Sequence, residues 1–251
     1  MTPKNDLPLA VLAGGRGLRL TGGRSSKPLF EVYGRPLISY ILDAACAAGV
    51  SRCFVLVRED DHDVARYLAS READFEVLSI IRSRAEGTGP ACRALVESLE
   101  SEQHILATSD LIISASALET MLERFATQDP SRAGVLATTA RIGADRPVWV
   151  EVSGEGVVTD YGKDIDPQPR VWGNVRVMRE VYSRWIMGHP EILQDTVLTK
   201  TFVRSRRTAE IDAVPIDDLY DVDTVEEIDG THHFLHPQDY QLENDGVRFH
   251  P

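Results

Sequence analysis

Short apolar runs alternating with helical patterns constrain this chain more than any other feature. "PLAVLA" (8–13), "RCFVLV" (52–57), "FEVLSII" (75–81), "HILATSD" (104–110) and "AGVLATT" (133–139) have the length and content of buried strands. Between them, "PLISYILDAACAAG" (36–49) puts Leu37, Ile38, Ile41, Leu42 and Ala45 on one helical face. Pro36 suits the first helical position there, and Gly49 suits the stop. "DHDVARYLASRE" (61–72), "GTGPACRALVESLE" (87–100) with Ala94, Leu95 and Leu99 inward, and "SALETMLERFAT" (116–127) read as further helices. Such alternation predicts βαβ units, and so an α/β protein with a doubly wound, mostly parallel sheet. After residue 140 the pattern changes. "PVWVEVSGEGVVTDYG" (147–162) reads as a hairpin, and "VWGNVRVM" (171–178) and "AEIDAVPI" (209–216) as strands, giving antiparallel additions to the same sheet. Residues 1–229 are expected to form one domain, and 230–251, which has no clear period, a tail.

Ligands of such sheets bind beyond the carboxyl ends of strands. Three segments are expected on that edge: residues 14–27, 86–89 and 109–111. Gly14, Gly15 and Gly17 directly follow a buried strand, where the missing Cβ lets backbone N–H groups approach an anion. Arg16, Arg19, Arg24 and Lys27 add positive charge, concentrated in a chain whose formal net charge is -12. The loop is therefore expected to receive a triphosphate. It is not a P-loop, since no lysine follows a glycine with the required spacing. Nor is it a dinucleotide fingerprint, because Leu20 stands where the third glycine would be.

The acidic balance argues against a general nucleic-acid binder. Arg204, Arg206 and Arg207 read as a solvated face. Cys46, Cys53 and Cys92 form no disulfide or zinc pattern and read as small apolar residues of a reducing cytosol. The histidines, including the pair at 232–233, show no ligand spacing. The first apolar run is too short for a signal peptide, and no run reaches membrane-spanning length, so the expectation is a cytoplasmic protein without a membrane partner.

"LAGGRGLRL…KPL…GRPLI" resembles the signature of nucleotidyltransferases that act on sugar 1-phosphates and related phosphorylated small molecules. The resemblance continues through "GTG" (87–89), "SD" (109–110), the hairpin ending at Lys163, "WGNVRVM" and "DVDTVEEI" (221–228), covering roughly residues 8–229. It implies a Rossmann-like nucleotide-diphospho-sugar transferase fold. It implies that Leu12, Ala13, Gly14, Gly15, Arg16 and Gly17 wrap the triphosphate, and that Gly87, Thr88 and Ser109 also line the nucleotide site. Arg19 is matched to the arginine that neutralises the departing pyrophosphate, Lys27 to the lysine at the α-phosphate, and Lys163 to a lysine gripping the acceptor phosphate. Gly173 and Asn174 fall on a strand lining the acceptor site. Asp110 and Asp223 match the ligands of a divalent ion, for which Mg²⁺ is the natural choice, being hard and oxygen-seeking.

Some assignments stay open at this stage. Thr88 is equally a helix N-cap, Trp172 either stacks on an acceptor or fills the core, and Asp221 is either a neighbour of the metal site or a solvated charge. Two further glycines in "TGGRSSKP" depart from the family pattern and imply a looser loop. The expected reaction moves a nucleoside monophosphate from an NTP to a phosphorylated acceptor, with release of pyrophosphate. A homo-oligomer is compatible with the sequence. The alternatives are a cytidylyltransferase for a phospho-alcohol or phosphonate and a non-catalytic nucleotide-binding regulator. A glycosyltransferase would carry D-x-D where this chain has "SDL", and molybdopterin-type relatives share "LAGG" but place their lysine differently.

Overall fold

The computed structural model describes residues 6–22, 26–99, 101, 103–141, 147–205, 209–229, 240–243 and 246–249. Arg24, Arg206, Arg207, the histidines at 232–233 and much of the expected tail lie outside the described residues. The elements follow in chain order: β1 (Leu9–Ala13), α1 (Leu18–Thr21), a 3₁₀ turn (Lys27–Leu29), β2 (Glu31–Val32), β3 (Arg35–Pro36), α2 (Leu37–Ala47), β4 (Arg52–Arg58), α3 (His62–Ala69), a 3₁₀ turn (Glu72–Asp74), β5 (Val77–Ser83), α4 (Thr88–Ser98), β6 (His104–Thr108), β7 (Leu111–Ile113) and α5 (Ala115–Thr127). The second half adds β8 (Gly134–Thr139), β9 (Trp149–Val152), β10 (Val158–Gly162), β11 (Val171–Met178), α6 (Glu180–Gly188), α7 (Asp195–Ser205), β12 (Ile211–Pro215), β13 (Leu219–Asp221), α8 (Glu226–Asp229), β14 (Tyr240–Glu243) and β15 (Gly246–Phe249).

Strands β5, β4, β1 and β6 lie side by side and parallel, as the βαβ alternation predicts. β11 continues the sheet antiparallel to β6 and carries both β9–β10 and β8–β12. The additions are antiparallel as expected, except that β12 runs parallel to β8. Helices α6 and α7 are elements that the sequence pattern does not announce.

Alternation along β1 builds two cores. Leu9, Val11 and Ala13 face α2, α3 and α5, while Ala10 faces α4, α6 and α7. Each fully buried Leu, Ile or Val contributes roughly 1.5–3 kcal/mol on transfer from water, so this two-sided burial fixes the register of the central strands. A third cluster joins Leu20, Val32, Leu37, Tyr40, Ile112, Tyr220 and Val222. It packs the end of the glycine loop against a small separate ribbon, β7 paired antiparallel with β13. Among the described residues, no helix is long and apolar enough to cross a membrane.

Candidate active site

The chain order reverses between β1 and β6, the place where a doubly wound sheet opens a crevice. The loop after β1 and the turn after β6 flank it, and the Ser109 N–H donates to the Leu12 carbonyl at 3.1 Å, which holds the two strand ends together. Ala13 is buried at the end of β1, whereas Gly15 and Arg16 are exposed. A cleft of about 450 Å³ runs from Gly14 and Arg16 across the ends of β4 and β5 to Glu86 and Gly87. Two of the expected segments therefore share one edge through this cleft.

The third segment meets the loop through Lys27. This lysine is only 5% exposed, and its Nζ donates to Asp110 Oδ2 and to Asp223 Oδ1, each at 2.6 Å. Arg19 Nη2 donates to Asp223 Oδ2 at 2.7 Å. Gly17 makes the approach possible. It sits at φ 57, and a Cβ there would lie 2.4 Å from Lys27 Cβ, so a side chain would meet both backbone strain and a clash.

Two backbone contacts bring the distant aspartates together. Asp221 pairs with Leu111 across the β7–β13 ribbon, and the Val222 N–H donates to the Asp110 carbonyl at 3.0 Å. Glu227 Oε2 accepts from the N–H groups of Asp223 and Thr224, at 2.6 and 2.9 Å, and so fixes the backbone carrying Asp223. Asp110, Asp221 and Asp223 each present a carboxylate oxygen within 4.8 Å of the others. Oδ1 of Asp110 and Oδ1 of Asp221 are buried without a hydrogen-bond partner among the described residues. Clustered carboxylates with orphaned oxygens fit a hard divalent cation.

The electrostatics follow. Burial alone would lower the pKa of Lys27, but Asp110, Asp221 and Asp223 together outweigh it and hold the ammonium above its ordinary value. Burial pushes Asp223 up, yet Lys27 and Arg19 prevail and keep it below the usual carboxylate range. Asp221 goes the other way. Burial first, then Asp110 and Asp223, raise it well above that range, against the opposing pull of Lys27 and a hydrogen bond from the Asn174 side chain.

The remaining sequence-predicted residues are placed as follows. Asn174 is buried at φ 56 in the bulge of β11 and reaches the cluster through Asp221. Gly173 is packed in the interior, where a Cβ would meet Leu219 Cδ1 at 2.8 Å. Trp172 sits edge-on to Tyr161, with ring centroids 5.8 Å apart. Thr88 is the first residue of α4 and does not cap it. Its hydroxyl instead accepts from the Asp195 N–H at 2.8 Å, because Gly87 occupies the cap with φ 96. Lys163 is exposed just beyond β10, and among the described residues no hydrogen bond or ion pair joins it to the aspartates. Asp221, left open in the sequence between a neighbour of the metal site and a solvated charge, lies with Asp110 and Asp223. The one-residue spacing in "YDVDT" raises the first reading, and the β7–β13 pairing supplies what the spacing alone lacks.

The family profile described as "MobA-like NTP transferase domain" matches residues 9–194. Among curated relatives, the bifunctional protein GlmU of Sorangium cellulosum (strain So ce56) is 30% identical over 175 residues, covering 68% of this chain and 34% of that protein. GlmU of Agrobacterium fabrum (strain C58 / ATCC 33970) is 29% identical over 178 residues, covering 67% and 37%. The chain thus spans about a third of the length of these relatives. Two solved structures share the fold. The inositol-1-phosphate CTP transferase from T. maritima superposes with a TM-score of 0.76 at 18% identity, covering 89% of this chain and 92% of that one. A UDP-glucose pyrophosphorylase complexed with UDP-glucose gives 0.75 at 16% identity, covering 93% and 100%.

Proposed function

The chain belongs to the MobA-like NTP transferase family, and from that premise we propose that it transfers a nucleoside monophosphate from an NTP to a phosphorylated small molecule, releasing pyrophosphate. A sugar 1-phosphate is the leading acceptor class, and a cytosolic setting suits both substrates. The observation that carries this reading is the convergence of Lys27 and Arg19 on Asp110 and Asp223 beside the glycine loop.

An oxygen of the acceptor phosphate attacks the α-phosphorus in line, and the bond to the bridging oxygen of pyrophosphate breaks. The acceptor is already anionic, so no side-chain nucleophile is required. The difficulty is to hold two polyanions together, and preorganised positive charge is the remedy. We assign Lys27 to the α-phosphate, where its raised pKa keeps it cationic, and Arg19 to the leaving pyrophosphate, for which a forked guanidinium is suited. Backbone N–H groups of residues 14–17 take the outer phosphates, with Leu12, Ala13, Ser109, Gly87 and Thr88 around the nucleotide. Lys163, beyond β10, is the cation assigned to the acceptor phosphate, with Asn174 orienting Asp221. A divalent ion held by Asp110 and Asp223, with Mg²⁺ the proposed species, would supply Lewis-acid stabilisation of the phosphates.

A matrix of NTPs against sugar 1-phosphates and phospho-alcohols, read by pyrophosphate release with Mg²⁺, tests the assignment. One NTP–acceptor pair is expected to stand out. CTP with a phospho-alcohol as that pair would move the acceptor class, and silence across the matrix would refute the activity.

A further inference from the structure

Behind the site, a charge is buried where charges are rarely found. Arg176, on β11, is fully enclosed. Its Nη2 donates to Asp195 Oδ1 at 2.5 Å and its Nη1 to Thr199 Oγ1 at 3.2 Å. The Tyr182 hydroxyl lies 2.7 Å from the same threonine oxygen, and the buried Cys92 thiol is held above its ordinary pKa by burial and then by the nearby Asp195 carboxylate. Removing a guanidinium and a carboxylate from water is costly, and apolar residues in place of such a pair are often neutral or stabilising. Stability alone does not account for the pair.

Its neighbours suggest what does. Asp195 begins α7, and its N–H donates to Thr88 Oγ1. Just before it, the Leu193 carbonyl accepts from the Gly89 N–H at 3.0 Å. Arg93, on α4, donates to the carbonyls of His189, Pro190 and Ile192 at 3.0, 2.9 and 3.0 Å. The fit is close. A Cβ on Gly87 would lie 2.5 Å from Leu193 O, and one on Gly89 2.4 Å from Ile192 O. Segment 189–195 is thus clasped to the start of α4, and the Arg176–Asp195 pair ties its far end to the sheet.

We propose that Arg176 and Asp195 are positioning residues for the nucleotide: they fix segment 189–195, and through it the Gly87–Gly89 turn, in the place that receives the NTP. The inference rests on the assignment of Gly87 and Thr88 to the nucleotide site made above. Neither residue touches substrate, and both act through backbone geometry.

The test compares the full-length wild type with the double variant Arg176→Met/Asp195→Leu. KM for each substrate and kcat are read by pyrophosphate release, and amide hydrogen exchange is followed over residues 87–91. The double variant is expected to fold, to exchange faster over 87–91, and to raise KM for the NTP roughly tenfold, while kcat and acceptor KM stay within about twofold. An unchanged NTP KM in the folded variant, or an equal rise in both KM values, would overturn the proposal. If the wild type shows no transfer, the activity reading fails by itself, and hydrogen exchange alone decides: no acceleration over 87–91 refutes the positioning role. Should the double variant not fold, Asp195→Asn, which keeps the backbone donor and a side-chain oxygen, is judged by the same readouts.

Discussion

At the scale of single residues, charge placement dominates. Lys27 is almost fully buried between two carboxylates, so replacing it removes a preorganised cation and leaves anions facing one another. Lys27→Ala and Asp110→Ala are each expected to lower turnover by about a hundredfold or more, as loss of a transition-state charge contact does; initial rates of pyrophosphate release measure it, and near-normal rates in both would remove their roles. His104 offers a different experiment. Burial, and then the nearby Arg176, push its imidazole down to about 3 from an ordinary 6.5. The unfolded chain therefore binds a proton between those values that the folded chain refuses. The contribution is nil above about pH 7, and stability falls as pH drops through 6.5, at about 1.4 kcal/mol per pH unit, until the folded ring titrates. Urea unfolding across that range should show this extra slope in the wild type and its loss in His104→Gln. Equal slopes would mean that the histidine is not its source.

At the scale of elements, the third apolar cluster aims the loop. Leu20, 4% exposed on α1, packs with Ile112 of β7 and Tyr220 of β13, the strands that present the aspartates. Leu20→Ala should cost about 2–5 kcal/mol if the cavity stays open, and less if the short helix collapses into it. In either case turnover is expected to fall at least roughly tenfold, because an ångström of misplacement is costly to catalysis; a variant that is destabilised but fully active would contradict the aiming role. This region also shows what sequence pattern reveals. β1, α2, β4, α4, β6 and α5 are legible because each carries enough apolar positions to display a period. β7 and β13, at three residues each, are too short to show one. In α7, "DTVLTKTFVRS" mixes Thr and Val with charged residues, so its helical stripe of Leu198, Phe202 and Val203 is diluted. The loop cations and Asp110 could be assigned through the motif they share. Asp221 and Arg176 could not, because only tertiary pairing distinguishes a buried charge from a solvated one.

At the scale of the whole molecule, a chain of net charge -12 gathers three carboxylates at one point, and Lys27 and Arg19 offset only part of that repulsion. A cation that binds the folded state alone adds stability through mass action, about 2.7 kcal/mol at a hundredfold excess over Kd. Mg²⁺ is expected to raise the melting temperature of the wild type and to have little effect on Asp223→Asn. Chelation should stop pyrophosphate release and added Mg²⁺ should restore it. A melting temperature indifferent to divalent ions in the wild type would speak against the carboxylate cluster as their site.

The pairing of β7 with β13 has a consequence for biosynthesis. Lys27 is 83 residues from Asp110 and 196 from Asp223 along the chain, so the charges meet only across long loops. During translation the glycine loop and its parallel strands leave the ribosome first, while the last carboxylate is still inside the tunnel or not yet made. A nascent chain can therefore acquire most of its architecture and remain inert. Competence arrives late and all at once, when β13 docks against β7.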